Sequence, residues 1–446
     1  MVDSFSRRTI LKSSLAAGAA AWASPSFGQA QAPASAVNWK KFSGQKIEVT
    51  LVKSPRADIL EKGLGEFEAL TGIKVGFEQI PEQQARQKQV IELTSGKPSF
   101  DVIHESFHVQ KRLFEKSGWV ADLSGFMADP SITGPETVES DFSAAGLMFS
   151  KNAAGKLRAL PQSVDYWVVY YNKELFEKKG VKYPDTFEEM ILAAEKLTDP
   201  KEGIYGFVAR GLKNANLPVY TSFLLGFGVD PVDAKGNLMT DTPEAIEAGK
   251  IYQRMMTKYA PPGAIGFNWS ECQSAFMQGK VAMWLDGIGF APPLEDPTKS
   301  RVVGKVGYGL MPKGPKIRAS ATFGDGISIP AASTKKEAAW MFAQWAVSKA
   351  QGRALITTGS GVPFRHSVLG DPSIRTSLKM PAAWLDVVAE SAKVSRLGLP
   401  VIIPVTEFRD TIGIGLTNTL SGGDVATELK KATDLFRPVL EKSEKS

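Results

Sequence analysis

Residues 47–80 read IEVTLVKSPRADILEKGLGEFEALTGIKVGFEQI. The first six residues alternate apolar and polar side chains, as a β-strand does, and residues 59–70 then place apolar side chains at helical spacing. Gly72 follows as a helix C-cap, and residues 73–80 predict a second strand. A helix over 82–94 and a third strand over 100–103 continue the series. This alternation predicts an α/β fold with a mostly parallel sheet flanked by helices.

A second α/β set begins near residue 160. Its predicted strands cover residues 167–171, 206–209 and 281–285. Thr186 with Glu189, and Thr334 with Glu337, have the spacing of capping boxes and predict two helix starts. The segment from residue 381 onward predicts helices almost throughout. The sequence contains no internal repeat and no low-complexity linker, so we expect the two lobes to pack together and to be interwoven.

The first 32 residues have the order of an export signal. Arg7 and Arg8 precede a short alanine-rich apolar segment at 15–23, and Ala30 and Ala32 offer small-residue cleavage positions. The apolar segment is too short to span a membrane. The paired arginines favour twin-arginine export, with an ordinary Sec signal as the alternative. We expect cleavage near residues 30–32 and a periplasmic protein.

Composition excludes several classes of function. The 446 residues, 43% hydrophobic and 22% charged, are typical of a folded protein with two or three lobes. The net charge of +6 is spread along the chain, so nucleic-acid binding is not expected. The single cysteine, Cys272, excludes disulfide frameworks and iron–sulfur clusters, and three histidines offer little for a histidine-rich metal centre. We expect a monomer without a cofactor.

Residues 104–108 read HESFH and match the zinc-protease motif H-E-x-x-H. On a helix this spacing places two imidazoles on one face, with a glutamate beside the metal-bound water. Here the match directly follows a predicted strand, which favours a strand-to-helix loop with His104 and Glu105 facing a cleft. A zinc hydrolase that uses His104, Glu105 and His108 is one alternative function. A cofactor enzyme exported by the twin-arginine route is the other, although no dinucleotide motif or nucleophile elbow supports it.

Several segments carry a family resemblance, and they occur in order along the chain. They are SFDVI (99–103), FEKSGWVADL (114–123), LPQSVD (160–165), YYNKELFEKKG (170–180), PDTFEE (184–189), TPEA (242–245), FMQGKVAM (276–283), MPKGP (311–315) and GVPFR (361–365). Together they resemble the extracellular solute-binding proteins of ABC sugar importers. YYNKELFEKKG and FMQGKVAM are the most specific of them.

The resemblance implies a fold and a function. It implies two α/β lobes joined by hinge crossings, which close on one ligand. The first lobe covers 37–163 and 310–364, and the second covers 164–309 and 365–446. It implies a binding protein, not an enzyme, that captures a carbohydrate-like solute (sugar, oligosaccharide or polyol) and delivers it to the permease of an ABC transporter in the inner membrane.

The resemblance also implies which positions face the cleft. They are Ser54, Arg56, His104, Glu105, Asp165, Tyr166, Trp167, Arg210, Trp284, Asp286, Gly324, Asp325, Arg365, Glu407, Phe408 and Arg409. Carboxylates beside aromatic rings suit a hydroxyl-rich ligand, whereas the arginines leave an acidic or phosphorylated sugar open. Asp325 departs from the family's Gly-Gly pattern and either binds ligand hydroxyls or caps a turn. We expect Asp165 and Trp284 to carry affinity, with Trp284 and Asp286 on one side of their strand.

Overall fold

A computed structural model describes residues 37–445, so the predicted export signal at 1–32 lies outside the described residues. The strands are β1 (Lys46–Val52), β2 (Lys74–Ile80), β3 (Val102–Ser106), β4 (Leu160–Asn172), β5 (Met283–Gly287), β6 (Val306–Gly309), β7 (Ser320–Ser328), β8 (Val362–Pro363) and β9 (Ser395–Leu397).

The helices surround these strands. They are α1 (Pro55–Thr71), α2 (Glu82–Ser95), α3 (Lys111–Ser117), α4 (Ser124–Ala128), α5 (Ala144–Ser150), α6 (Lys173–Lys178), α7 (Phe187–Leu197), α8 (Leu217–Gly226), α9 (Pro243–Lys258), α10 (Trp269–Met277), α11 (Lys336–Ala346), α12 (Lys349–Thr357), α13 (His366–Leu369), α14 (Ser373–Ser377), α15 (Ala382–Lys393), α16 (Val405–Leu420) and α17 (Val425–Lys445). Over 37–445, none of them is long and apolar enough to cross a membrane.

The strands connect in the order β2-β1-β3-β7-β4-β5, with β6 and β8 also paired to β4 and β9 paired to β7. The pairs β1–β2, β1–β3 and β7–β9 are parallel. All pairs of β4, and the pair β3–β7, are antiparallel. The sheet is therefore mixed rather than mostly parallel. The reason is that β7 returns to the first strands from the far part of the chain and enters the sheet in the opposite direction.

Strand β4 links the two parts of the sheet. Its first half, up to Tyr166, pairs with β7 and β8, and its second half, from Trp167, pairs with β5 and β6. The predicted strand over 167–171 is thus the second half of one strand of 13 residues. Trp167 and Val169 pack into one hydrophobic cluster while Val168 and Tyr170 pack into another, because alternate side chains of a strand point to opposite faces.

The local signals at helix ends give mixed outcomes. Gly72 caps α1 with φ of 72°, and the Thr186 hydroxyl accepts a hydrogen bond from the amide of Glu189 at 3.2 Å, as predicted. The predicted cap at Thr334 is wrong: α11 begins at Lys336 after Lys335, which makes no side-chain cap. There the Ser333 hydroxyl accepts from the amide of Lys335 at 3.1 Å instead.

The predicted strand at 206–209 is also wrong as a regular strand. In this part of the described chain, only isolated bridges form, Tyr205 with Val281 and Val208 with Trp284. The segment is too short to extend a ladder beside β5, although Phe207 and Val208 are buried. An apolar run of four residues therefore gave the correct burial but not the strand.

Candidate functional site

A cavity of ≈ 90 Å³ lies beside the carboxyl ends of β1, β2 and β3. Its polar lining is Lys53, Ser54, Arg56, Glu82, Arg86, His104, Ser106, Asp165, Arg210, Asp325 and Arg409. Its apolar lining is Val52, Val109, Trp167, Pro218, Trp269, Phe290, Phe323 and Leu399. Carboxyl ends of parallel strands are the usual ligand sites of open α/β sheets, and this position agrees with that rule.

Asp325 organises one end of the cavity. Its carboxylate lies 3.0 Å from Nη1 of Arg56 and 3.3 Å from Nε2 of His104. Nη1 of Arg56 also donates to the hydroxyl of Ser163 at 3.1 Å. Burial opposes ionisation of Asp325, but Arg56 and His104 outweigh it and hold the pKa of this carboxyl below its usual range. Asp325 lies within β7, so the alternative that it caps a turn is wrong.

Asp165 lies close to this end, but its pKa is shifted in the opposite direction from that of Asp325. Its Oδ1 accepts a hydrogen bond from the amide of Gly289 at 3.1 Å. Burial raises the pKa of Asp165 to about 6, and Arg56 only partly offsets that effect. The charge of this carboxyl therefore changes just below neutral pH.

The opposite wall is built around Arg210. Its Nε donates to Oδ2 of Asp286 at 2.9 Å and its Nη2 donates to Oδ1, which makes a two-bond pair with a carboxylate of zero exposure. Nη1 of Arg210 also lies 4.0 Å from Glu82. Burial alone would lower the pKa of Arg210, but Asp286 and Glu82 reverse the shift and raise it. Arg210 therefore stays charged inside the protein.

Glu82 and two further arginines complete this wall. Glu82 begins α2, and Arg86 one turn later binds it at 2.7 Å. Nε and Nη2 of Arg409 donate to the carbonyl oxygen of Asn214 at 3.1 and 3.0 Å. Burial raises the pKa of Glu82, but Arg86, Arg210 and Arg409 outweigh it and bring the pKa to about 2. Glu82 is ionised at every physiological pH.

Aromatic rings form the apolar part of the lining. Trp269 and Phe290 stack with their ring centres 4.8 Å apart. The guanidinium of Arg210 lies over Trp167 at 5.0 Å and over Phe290 at 5.6 Å. Phe323 packs against Trp167 at 5.5 Å. Rings beside charged groups that donate and accept hydrogen bonds can hold both the C–H faces and the polar groups of a small ligand.

Residues 53–353 match the family model of the bacterial extracellular solute-binding proteins. The chain belongs to this family. A mannitol-binding protein of Pseudomonas aeruginosa is 27% identical over 288 residues, which cover 64% of this chain and 64% of that protein. An erythritol/L-threitol-binding protein of Mycolicibacterium smegmatis is 26% identical over 467 residues, covering 95% of this chain and 94% of the relative.

A solved structure confirms the fold of this solute-binding protein. The structure is an ABC transporter solute-binding protein of Agrobacterium radiobacter in complex with ribitol, with a TM-score of 0.81 and 27% identity. The match covers 89% of this chain and 99% of that chain. The expected two-lobed α/β fold of the periplasmic-binding type is thereby confirmed. The residue bounds of the lobes stay a prediction.

Half of the cleft residues predicted for this solute-binding protein line the cavity. They are Ser54, Arg56, His104, Asp165, Trp167, Arg210, Asp325 and Arg409. Asp286 does not line it but holds Arg210, as described above. Ser54 is also the N-cap of α1, because its hydroxyl accepts a hydrogen bond from the amide of Ala57 at 3.3 Å.

Strand alternation removes other predicted residues from the cavity. On β3, His104 and Ser106 face it, so Glu105 points to the opposite side, where its carboxylate accepts from the hydroxyl of Ser328. Burial raises the pKa of Glu105 to about 7. Tyr166 likewise lies between two cavity residues of β4 and faces a separate groove. These two side chains are not brought into the cavity.

The other predicted residues are held elsewhere. Trp284 is fully buried and stacks on Tyr170 at 4.7 Å, so it is a core residue rather than part of the cavity wall. Arg365 donates to Asp141 at 2.6 Å and is also buried. Phe408 packs on another ring within the core, and Glu407 is exposed on α16. The amide of Gly324 donates to Nδ1 of His108 at 3.0 Å, and its carbonyl oxygen accepts from the amide of Phe107 at 3.0 Å.

The zinc alternative does not fit this geometry. His104 and Glu105 lie inside β3, not in a loop as predicted and not on a helix as the motif requires. His104 is bound to Asp325, and the buried His108 accepts from Gly324. Across residues 37–445 no group of histidine, cysteine, aspartate and glutamate side chains has the arrangement of a metal site. The strand is longer than predicted because polar side chains are tolerated where a cleft or a partner satisfies them.

The predicted cleft residues do not include Glu82 and Arg86, which line the cavity. Glu82 directly follows the carboxyl end of β2, and Arg86 lies one helical turn further. The rule that ligands bind where parallel strands end, applied to β2, selects both.

Proposed function

We propose that this solute-binding protein captures a small carbohydrate-like solute, a polyol or a small sugar, in the cavity and delivers it to the permease of an ABC transporter. The observation that carries the proposal is a cavity that combines carboxylates, guanidinium groups and aromatic rings. The relatives named above for mannitol and erythritol/L-threitol, and the structure with ribitol, support a polyol-sized ligand. We propose a binding protein that acts as a monomer and carries out no reaction.

The size of the cavity favours a small ligand over an oligosaccharide. Its volume of ≈ 90 Å³ is well below the roughly 300–1,000 Å³ of pockets for drug-sized ligands. That is room for a single short ligand. We therefore expect chains of four to six carbons to bind and maltose-like oligosaccharides to bind poorly.

We further propose that binding closes the two lobes. With the predicted bounds, Glu82 belongs to the first lobe and Arg210 to the second, and the two side chains meet at 4.0 Å on one wall of the cavity. A ligand that contacts both lobes binds the closed form more strongly and shifts the population toward it. Small-angle scattering should then show a smaller radius of gyration at saturating ligand. An unchanged radius with confirmed saturation would argue for a rigid pocket.

The export route completes the proposal. We propose that the first 32 residues direct the protein through the twin-arginine route to the periplasm, where the ABC permease is reached. Replacing both Arg7 and Arg8 by lysine should stop mature protein from reaching the periplasm. Normal export of that variant would instead indicate the Sec route.

A ligand screen tests the function. Thermal unfolding of the mature chain is followed with mannitol, ribitol, erythritol and L-threitol, and with maltose as a size control. A ligand at 100 times its Kd should stabilise the protein by about 2.7 kcal/mol. Calorimetric titration of each hit gives the Kd. Failure of these polyols and of the corresponding polyhydroxy acids to shift the transition would contradict the proposed function.

A further inference from the structure

The cavity wall formed by Glu82, Arg86, Arg210 and Arg409 carries more positive than negative charge. Arg210 has a carboxylate of its own, Asp286, in a two-bond pair. The other carboxylate of this wall, Glu82, is bound by Arg86 at 2.7 Å and lies 4.0 Å from Arg210. One guanidinium charge on this wall is therefore without a matching carboxylate.

Arg409 is the unmatched group. Its residue exposure is 3%, and within the described residues no carboxylate oxygen lies within 4.0 Å of its nitrogens; Glu82 and Asp410 act on it only from a greater distance. Its hydrogen bonds go to the carbonyl oxygen of Asn214, a neutral acceptor. These bonds use two of the five N–H donors of a guanidinium, which leaves three. A buried charge without a counter-charge is strongly unfavourable, so a residue held in this way is one that a charged ligand group would stabilise.

The backbone that holds Arg409 is itself unusual. Asn214 has φ of 74°, a left-handed conformation that other non-glycine residues of the described chain do not adopt. Its side chain donates to Oδ1 of Asp410 at 3.0 Å, which fixes the turn from the other side. Asparagine adopts this conformation more readily than other non-glycine residues, so the turn forms at little cost and holds its carbonyl oxygen toward Arg409. The turn at Asn214 orients the guanidinium of Arg409.

The remaining charges of the cavity do not compensate Arg409. Asp325 is taken by Arg56 and His104, at 3.0 and 3.3 Å. Asp165 accepts from the amide of Gly289 and lies beside Arg56. Lys53, also in the lining, adds a further positive charge. The two ends of the cavity therefore differ: one presents carboxylates that can accept from hydroxyls, and the other presents arginines.

We infer that the Arg86–Arg409 wall binds a carboxylate, and that the ligand is a short polyhydroxy acid rather than a neutral polyol. This inference rests on the proposed function, because it assigns one end of the same ligand. A guanidinium fork matches the two oxygens of a carboxylate, and one such group supplies the one charge that is missing. The hydroxyls of the ligand then lie toward Asp165 and the aromatic rings.

Matched pairs of ligands test the inference. D-glucitol with D-gluconate, ribitol with D-ribonate, and erythritol with D-erythronate each differ only in a terminal CH2OH replaced by a carboxylate. Calorimetric titration of the mature protein at pH 7 should give, for the best pair, a Kd at least tenfold lower for the acid, which is about 1.4 kcal/mol. D-glucitol 6-phosphate is the control for a phosphate in place of the carboxylate.

Variants locate the effect. Arg409→Gln keeps hydrogen-bond donors but removes the charge, and should reduce the ratio of the two Kd values to less than threefold. The matched control is Arg375→Gln, an exposed arginine paired with Asp386 outside the cavity, which should leave the ratio unchanged. Arg86→Gln is the second variant, in case Arg409→Gln does not fold. The comparison on the unchanged protein decides the inference if neither variant is stable.

The outcomes are distinct. A neutral polyol that binds as tightly as its acid overturns the inference and leaves the proposed function in place. Tighter binding of the phosphate ester than of gluconate overturns the carboxylate assignment. A ratio that Arg409→Gln does not change overturns the role of that wall. If no member of either series binds, the proposed function fails together with the inference.

Discussion

The substitution Asp286→Asn removes the charge that neutralises Arg210. Asp286 has zero exposure and Arg210 has 6%, so neither can recover hydration when the pair is broken. Loss of one partner of a buried ion pair typically destabilises a protein by about 3–5 kcal/mol, because the remaining charge is left without compensation. Glu82, at 4.0 Å from Arg210, softens the effect. We expect a loss of about 3 kcal/mol in the free energy of unfolding.

Urea unfolding measures this loss, followed by both tryptophan fluorescence and circular dichroism. Coincident transitions by the two probes justify the two-state treatment. The matched control is Glu390→Gln, which breaks the ion pair between Glu390 and Lys393. Their side chains are 52% and 66% exposed, respectively. A surface pair of this kind contributes about 0–1 kcal/mol.

The double variant Arg210→Met with Asp286→Leu removes both charges of the pair. It leaves the neutral amide of Gly287 without its acceptor on Asp286, but neither charge of the pair is left unmatched, so the double variant should be more stable than Asp286→Asn alone. The double variant should nevertheless lose ligand binding, since Arg210 lines the cavity. If Asp286→Asn costs no more than Glu390→Gln, the reasoning about the buried pair is refuted.

Further predictions concern other residues of the site and the core. Burial raises the pKa of Asp165 from 3.8 to about 6, so the folded state holds a proton that the unfolded state has lost, and stability falls as pH rises between these values. Between pH 3.5 and pH 7 the wild type should lose roughly 3 kcal/mol more than Asp165→Asn, and parallel pH profiles would contradict this. Calorimetric titration of Asp165→Asn should also show ligand binding weakened at least tenfold. Ser54→Ala and Thr186→Ala each remove an N-cap and should each destabilise by about 1 kcal/mol in urea, but only Ser54→Ala should alter the Kd. Trp284→Ala should destabilise by about 3–5 kcal/mol because that ring is core, whereas Trp167→Ala, at the cavity wall, should weaken binding. Equal Kd values for the Trp167→Ala variant and wild type would remove that ring from the site.

The sequence by itself determined those helices and strands whose formation depends on residues close together in the chain. The alternation at 47–52, the apolar spacing at 59–70 and the glycine at 72 predicted β1, α1 and its end to within a few residues. Helical spacing and strand alternation act over a handful of residues, so no distant contact is needed to recognise them. The family resemblance could also be recognised from the sequence, because the segments that carry it occur along the whole chain.

Only the tertiary structure decided which side chains meet. Asp286 lies 76 positions from Arg210 in the chain, and Arg56 binds Ser163 across 107 positions. Strand β7 pairs antiparallel with β3, which brings Asp325 beside His104. Only one face of each strand is turned to the cavity, so His104 and Trp167 line it while their neighbours Glu105 and Tyr166 do not. A one-residue shift in pairing register would exchange those faces. Register and strand direction are set by contacts between distant segments, and periodicity within a segment carries no information about its partner.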